Sequence, residues 1–143
     1  MFKPMSKVFA FTLALGALAA APALAGDAKA GEDVFKKCKS CHAIIGPDGA
    51  EVVKGGKIGP NLYGVIGRQI GALPDFKYGE SVVAAGADGS KWDEAALAAY
   101  VVDPTKWLKE KTGDDSAKSK MTFKLAKGGE DVAAYLASVA PAQ

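Results

Sequence analysis

Two thiols stand three residues apart in Cys38-Lys-Ser-Cys41-His42, and the only histidine of the chain follows the second directly. That order is the attachment motif of a c-type haem. Each thiol can form a thioether with one vinyl group of a porphyrin, and a single turn of chain between the cysteines holds both sulfurs at one ring edge. The imidazole that follows is then directed at the iron as an axial ligand.

The segments before the motif decide which other readings of the two cysteines stand. Lys3 and Lys7 form a basic stretch, Val8 to Ala20 is apolar but short, and Ala23-Leu24-Ala25 offers a small-x-small cleavage site. This is the pattern of a secretory signal peptide over residues 1–25, with Gly26 as the first residue of the processed chain. An apolar run of that length falls below the ~20 residues a membrane-spanning helix needs. Processing leaves a single domain, residues 26–143, with balanced charge: of 18 basic residues Lys3 and Lys7 are lost, leaving 16 against 16 acids. In an exported protein a disulfide between Cys38 and Cys41 is the plain alternative to haem attachment. Zinc lacks a second pair of ligands, and a thioredoxin-like motif lacks its βαβ context.

A haem iron has two axial positions. An open second position suits a peroxidase or a gas-binding protein, whereas a filled one suits electron transfer. Removal of the leader takes Met1 and Met5 with it and leaves Met121 as the only thioether. It sits in the polar stretch Ser119-Lys-Met121-Thr-Phe123, with no helical apolar stripe to mark it as core filling. His/Met ligation raises the reduction potential and closes the iron to substrates.

Helices must position these groups. Gly31, Val34, Phe35 and Cys38 share one helical face, which predicts a helix running into the motif. Val132, Tyr135, Leu136 and Val139 repeat that spacing after Gly128-Gly129, with Glu130 and Asp131 in the first turn. A third helix is predicted from about Asp93 to Val102, its apolar face marked by Leu97, Tyr100 and Val101, with Ser90 and Asp93 as a capping pair and Asp103-Pro104 as its end. Short helical turns are expected near Ser81 to Ala85 and Pro104 to Lys111. Gly46 to Gly71 holds eight glycines and two prolines in 26 residues. Loops of that length need something to pack on, and a flat apolar cofactor would supply it. No strand is predicted.

These features together resemble the class I cytochromes c, most closely the bacterial cytochrome c2 type. Gly31-Glu-Asp-Val-Phe35 is similar to that family's first helix, Gly59-Pro-Asn-Leu-Tyr-Gly64 to its proximal loop and Lys120-Met-Thr-Phe123 to its distal loop. The resemblance implies an all-α fold, with three main helices plus short helices and long Gly-rich loops wrapped around one covalently bound haem. It also implies roles. The Pro60 carbonyl would orient the His42 ring, and Tyr100 would point its hydroxyl at the Met121 sulfur. Arg68, Tyr78, Trp92 and Ser119 would bond the haem propionates. Phe123 would belong to the haem pocket through the distal loop, and Gly31 would let the first helix approach the last, against Tyr135. Ile44 to Lys57 and Trp107 to Lys118 look longer than in the short mitochondrial form and are expected to be surface loops. Val82 stands where that form tends to carry asparagine.

Charge is uneven along the chain: Pro104 to Lys127 carries seven lysines and three acids, whereas Asp75 to Asp103 carries two lysines and six acids. Lys118, Lys120, Lys124 and Lys127, with Lys36, Lys37, Lys39 and Lys57, are expected to ring the haem edge as a docking face for an acidic partner. Nucleic acid is a poor partner for a chain of balanced charge. The resemblance implies a monomeric periplasmic one-electron carrier, not an enzyme, in respiration or photosynthesis. Its electrons would come from a cytochrome bc complex and pass to a photosynthetic reaction centre, a terminal oxidase or a denitrification enzyme.

Overall fold

The structure is a computed structural model that describes residues 26–141. The leader expected over residues 1–25 lies outside the described residues. Among those described, no helix is long and apolar enough to cross a membrane.

The described residues form five helices and one small ribbon: α1 (Ala28–Phe35), β1 (Ile44–Ile45), β2 (Glu51–Val53), α2 (Glu80–Ala85), α3 (Glu94–Val102), α4 (Pro104–Thr112) and α5 (Gly129–Ser138). Three of the longer helices, α1, α3 and α4, begin at an aspartate cap, whereas α5 starts from Gly128 with no side-chain cap. The Asp27 carboxylate accepts from the amides of Lys29 and Ala30 at the start of α1. Asp93 accepts from Ala96 at 2.7 Å and caps α3. Asp103 ends α3 and caps α4 by accepting from Lys106 at 3.1 Å, with Pro104 in the first turn, where no amide donor is needed.

The first and last helices cross closely, because Gly31 has no side chain to keep them apart. A Cβ there would run into the backbone carbonyl of Asp131 and the Cβ of Tyr135. Asp131 in turn accepts from the Asp27 amide at 2.8 Å, and the Phe35 and Tyr135 rings meet at 5.7 Å. α5 also packs on α3, while α4 spans from α3 to α2. Phe35, Ile44, Leu97, Leu108, Val132 and Leu136 form the buried centre.

Five expectations are corrected. α1 stops at Phe35 rather than running into the cysteine motif; tighter bonds from the amides of Lys36, Lys37 and Cys38 to carbonyls three residues back carry the chain on as turns. Ser90 takes no part in capping α3; its hydroxyl accepts from the Lys111 ammonium at 2.7 Å. Strands do exist: β1 and β2 pair antiparallel with an irregularity between Ile44 and Ile45, too short for any alternation to register in the sequence. Neither insertion is only a surface loop. Ile44 is fully buried at the base of the ribbon, and Leu108 and Ala117 bring the segment from Trp107 to Lys118 into the core. The turn expected from Pro104 is a nine-residue helix ending at Gly113 in the left-handed conformation.

Candidate functional site

Cys38, Cys41 and His42 lie in turns just beyond α1, where the His42 and Cys41 amides both donate to the Cys38 carbonyl, at 2.9 and 3.1 Å. The following loop closes over the motif backbone: the Gly56 amide donates to the Lys39 carbonyl and the Gly59 amide to the Cys41 carbonyl, each at 2.8 Å. This leaves Cys38, Cys41 and His42 half-buried, while Lys39 and Ser40 between the thiols are exposed. Gly59 passes so near the His42 ring that a Cβ would collide with it.

His42 Nδ1 lies 2.8 Å from the Pro60 carbonyl oxygen. A carbonyl can only accept, so Nδ1 carries the proton and Nε2 keeps its lone pair. Burial lowers the pKa of this histidine, with the Pro60 bond opposing the shift. A neutral imidazole with a free Nε2 is the form that binds a metal. The Cys38 thiol is raised above its ordinary value, first by burial and then by Cys41, with Lys37 opposing. The two cysteines are not bonded to each other, which removes the disulfide alternative from this structure.

One cavity of about 610 Å³ gathers these groups with residues from far along the chain. Cys38, Cys41, His42 and Pro60 line it, as do Arg68, Tyr78, Trp92, Tyr100, Ser119, Met121 and Phe123. Every residue selected from the sequence for the cofactor site therefore borders one space. The core side chains Phe35, Val65, Leu97, Val132 and Leu136 complete it. Its volume falls in the ~300–1,000 Å³ range of pockets that enclose a whole ligand. Two thiols, an imidazole with a free nitrogen and a thioether in a mainly apolar shell suit a planar, iron-bearing apolar group. The residues present fit a haem.

Hydrogen bonding inside the site differs from the resemblance in detail. The Tyr100 hydroxyl meets Ser119 Oγ at 3.2 Å, where the resemblance implies the Met121 sulfur. Ser119 Oγ also accepts from the Met121 amide at 3.1 Å, so tyrosine and methionine are linked through the serine. Burial raises the Tyr100 pKa. Arg68 donates to the Tyr63 carbonyl at 2.6 Å and, through both terminal nitrogens, to the Asn61 carbonyl at 3.1 Å. Burial lowers its pKa, and neighbouring Tyr78 opposes that shift.

Some contributors were not selected from the sequence. Trp107 stacks on Trp92 with ring centroids 5.2 Å apart and meets Tyr100 edge-on at 5.6 Å, backing two pocket residues without lining the cavity itself. Its place in an apparent insertion hid it. Ile58, 78% exposed, also borders the cavity, beside the selected Phe123, which is 41% exposed. Of the lysines assigned to the haem edge, Lys37 and Lys120 line it, joined by Lys77. Lys36 and Lys39 instead border a separate groove with Glu32 and Tyr135, and Lys124 pairs with Asp103 at 2.7 Å.

No family model matches the chain. Cytochrome c2 of Rhodobacter capsulatus is 65% identical over 120 residues, covering 84% of this chain and 88% of that protein. Cytochrome c-550 of Paracoccus versutus is 52% identical over 136 residues, covering 94% of this chain and 88% of that protein. The solved structure of the Rhodobacter capsulatus cytochrome c2 superposes with a TM-score of 0.79 at 64% identity, covering 80% of this chain and 98% of that one. The family's members are electron carriers rather than enzymes, and their cofactor is one covalent haem c, for which Cys38 and Cys41 are the two thiols of this chain. The chain belongs to the class I cytochromes c, among the bacterial cytochromes c2 and c-550.

Proposed function

We propose that the chain is a soluble periplasmic one-electron carrier in which His42 and Met121 are the axial ligands of the haem iron. One observation carries the reading: the only histidine, and the only methionine outside the expected leader, border the same cavity as both thiols. When bound, the haem supplies a ferric/ferrous couple that takes up and releases one electron without making or breaking a bond to a substrate.

The protein's own residues do the rest. Pro60 holds the proton on Nδ1 of His42 and so presents Nε2 to the metal. Ser119 fixes the backbone of Met121 and links it to Tyr100, and Met121 closes the second axial position. The apolar lining keeps water from the redox centre, which together with the thioether favours the reduced state. Arg68, Tyr78, Trp92 and Ser119 are the polar groups that can meet the propionates, and Phe123 covers the pocket edge.

Lys37, Lys77 and Lys120, beside the exposed Ile58 and Phe123, form the docking face. An apolar patch within a cationic rim suits brief encounters with an acidic partner. We assign the donor to a cytochrome bc complex and the acceptor to a photosynthetic reaction centre, a terminal oxidase or another periplasmic reductase. Residues 1–25 are the export signal, and the carrier works as a monomer.

The test is the response of the ferrous holoprotein to carbon monoxide. A carrier with both axial positions filled binds it poorly; rapid, complete binding would overturn the reading in favour of an open distal site.

A further inference from the structure

Residues 59–63 lie against residues 41–45 as a strap. The Gly59 amide donates to the Cys41 carbonyl at 2.8 Å and the Leu62 amide to the Ala43 carbonyl at 3.1 Å. His42 meets Pro60 between them. The strap's own side-chain hold on residues 41–45 is the carboxamide of Asn61. Its Oδ1 accepts from the Ile45 amide at 2.9 Å and from the Tyr63 amide at 3.1 Å. Its Nδ2 donates back to the Ile45 carbonyl at 2.8 Å. The Asn61 carbonyl meanwhile receives both terminal nitrogens of Arg68.

Asn61 therefore satisfies both backbone groups of Ile45, in the short strand that begins the 44–57 insertion, and it does so from the position next to Pro60. We infer that Asn61 is a positioning residue for the axial histidine: by locking the strap to β1 it sets where the Pro60 carbonyl stands under Nδ1 of His42. The inference rests on the proposed ligation by His42. Hydrogen bonding at the far nitrogen raises the basicity of an imidazole ligand, and a more basic ligand favours the ferric state. A strap that drifts weakens that bond, exposes the Nδ1 proton to exchange and moves the reduction equilibrium toward the ferrous form. Glutamine at 61 would put the carboxamide one methylene too far to serve Ile45 and Tyr63 at once.

The experiment compares wild-type holoprotein with Asn61→Ala, Asn61→Asp and Leu108→Ala. Leu108 is fully buried in α4 and does not border the cavity, so its truncation destabilises the fold without touching the strap. Three properties are read: the red absorption band of iron–methionine ligation, the solvent exchange rate of the His42 Nδ1 proton by NMR, and the reduction equilibrium against a mediator. Asn61→Ala is expected to keep covalent haem, to accelerate Nδ1 exchange by ~10-fold or more, and to shift the reduction equilibrium toward the ferrous form by about threefold. Asn61→Asp keeps both acceptor bonds but loses the donor to Ile45. Its exchange rate is expected to fall between those of wild type and Asn61→Ala, and it carries the test if the alanine variant does not fold. Exchange at the wild-type rate in the alanine variant, or in the aspartate variant standing in for it, overturns the inference; so does equal acceleration in Leu108→Ala. A wild-type protein that lacks the red band would overturn ligation by Met121 but not the inference, which rests on His42 and is decided by the exchange rates.

Discussion

His42 Nδ1 stands 2.8 Å from the carbonyl oxygen of Pro60, eighteen residues further on, and the neighbouring Gly59 leaves no room for a side chain between loop and ring. Tautomer, ring orientation and the free Nε2 all follow from this pair. Gly59→Ala is expected to push the loop from the ring, costing about 1–3 kcal/mol as overpacking does. Urea denaturation of the holoprotein measures this, and an unchanged midpoint would mean that the ring has room to yield.

Asp103 joins three elements: one carboxylate oxygen caps α4 and the other pairs with Lys124 beyond Met121. The Lys124 bond, then the Lys106 amide, hold its pKa below the ordinary 3.8. Because the folded value is depressed, the stabilisation is complete above the unfolded value and is lost as pH falls through the folded one. Thermal stability of wild type is therefore expected to fall below about pH 4, and Asp103→Asn to fall less steeply over the same range while starting lower at neutral pH. Parallel pH profiles for the two would contradict the assignment.

Tyr100→Phe removes the hydroxyl that meets Ser119 Oγ at 3.2 Å but keeps the ring's edge-on contacts with Trp92 and Trp107. The expected loss is about 1 kcal/mol, measured by guanidinium unfolding. Haem attachment should be unaffected. A loss several times larger would mean that the hydroxyl supports more than the Ser119 bridge.

Lys120 reaches over Lys77, its ammonium 3.5 Å from the Lys77 carbonyl, and both border the cavity. Their charges belong to the proposed docking face. Electron-transfer rates with a cytochrome bc complex are expected to fall steeply between low and physiological ionic strength, since a Debye length shrinks to about 8 Å at 0.15 M. Lys120→Glu should lower the low-salt rate by ~10-fold and flatten the salt dependence. A rate independent of salt in wild type counts against the face.

How much could be read from the sequence varied with the physical range of each interaction. Cys38 and Cys41 were legible as the haem thiols, and His42 and Met121 as residues that border one cavity with them, because these are rare residue types whose chemistry leaves few roles; the helices α1, α3 and α5 were legible because their apolar spacing is local. Side-chain partners were less so. The resemblance assigned Tyr100 to the Met121 sulfur, but its hydroxyl meets Ser119, a choice made by how α3 and the segment after α4 come together. The ribbon was invisible since two- and three-residue strands hold too few positions to show a period. Trp107 and Leu108 were read as insertion although they pack inward; the apolar pair was present, but the lysines and acids around it masked the helical face.

The optical spectrum of the ferric holoprotein tests the central claim most directly, taken for wild type and Met121→Ala side by side. Wild type is expected to show the red band of iron–methionine ligation, and Met121→Ala to keep covalent haem, lose that band and bind carbon monoxide when reduced. A wild-type spectrum without the band, or a band that survives replacement of Met121, would contradict the account.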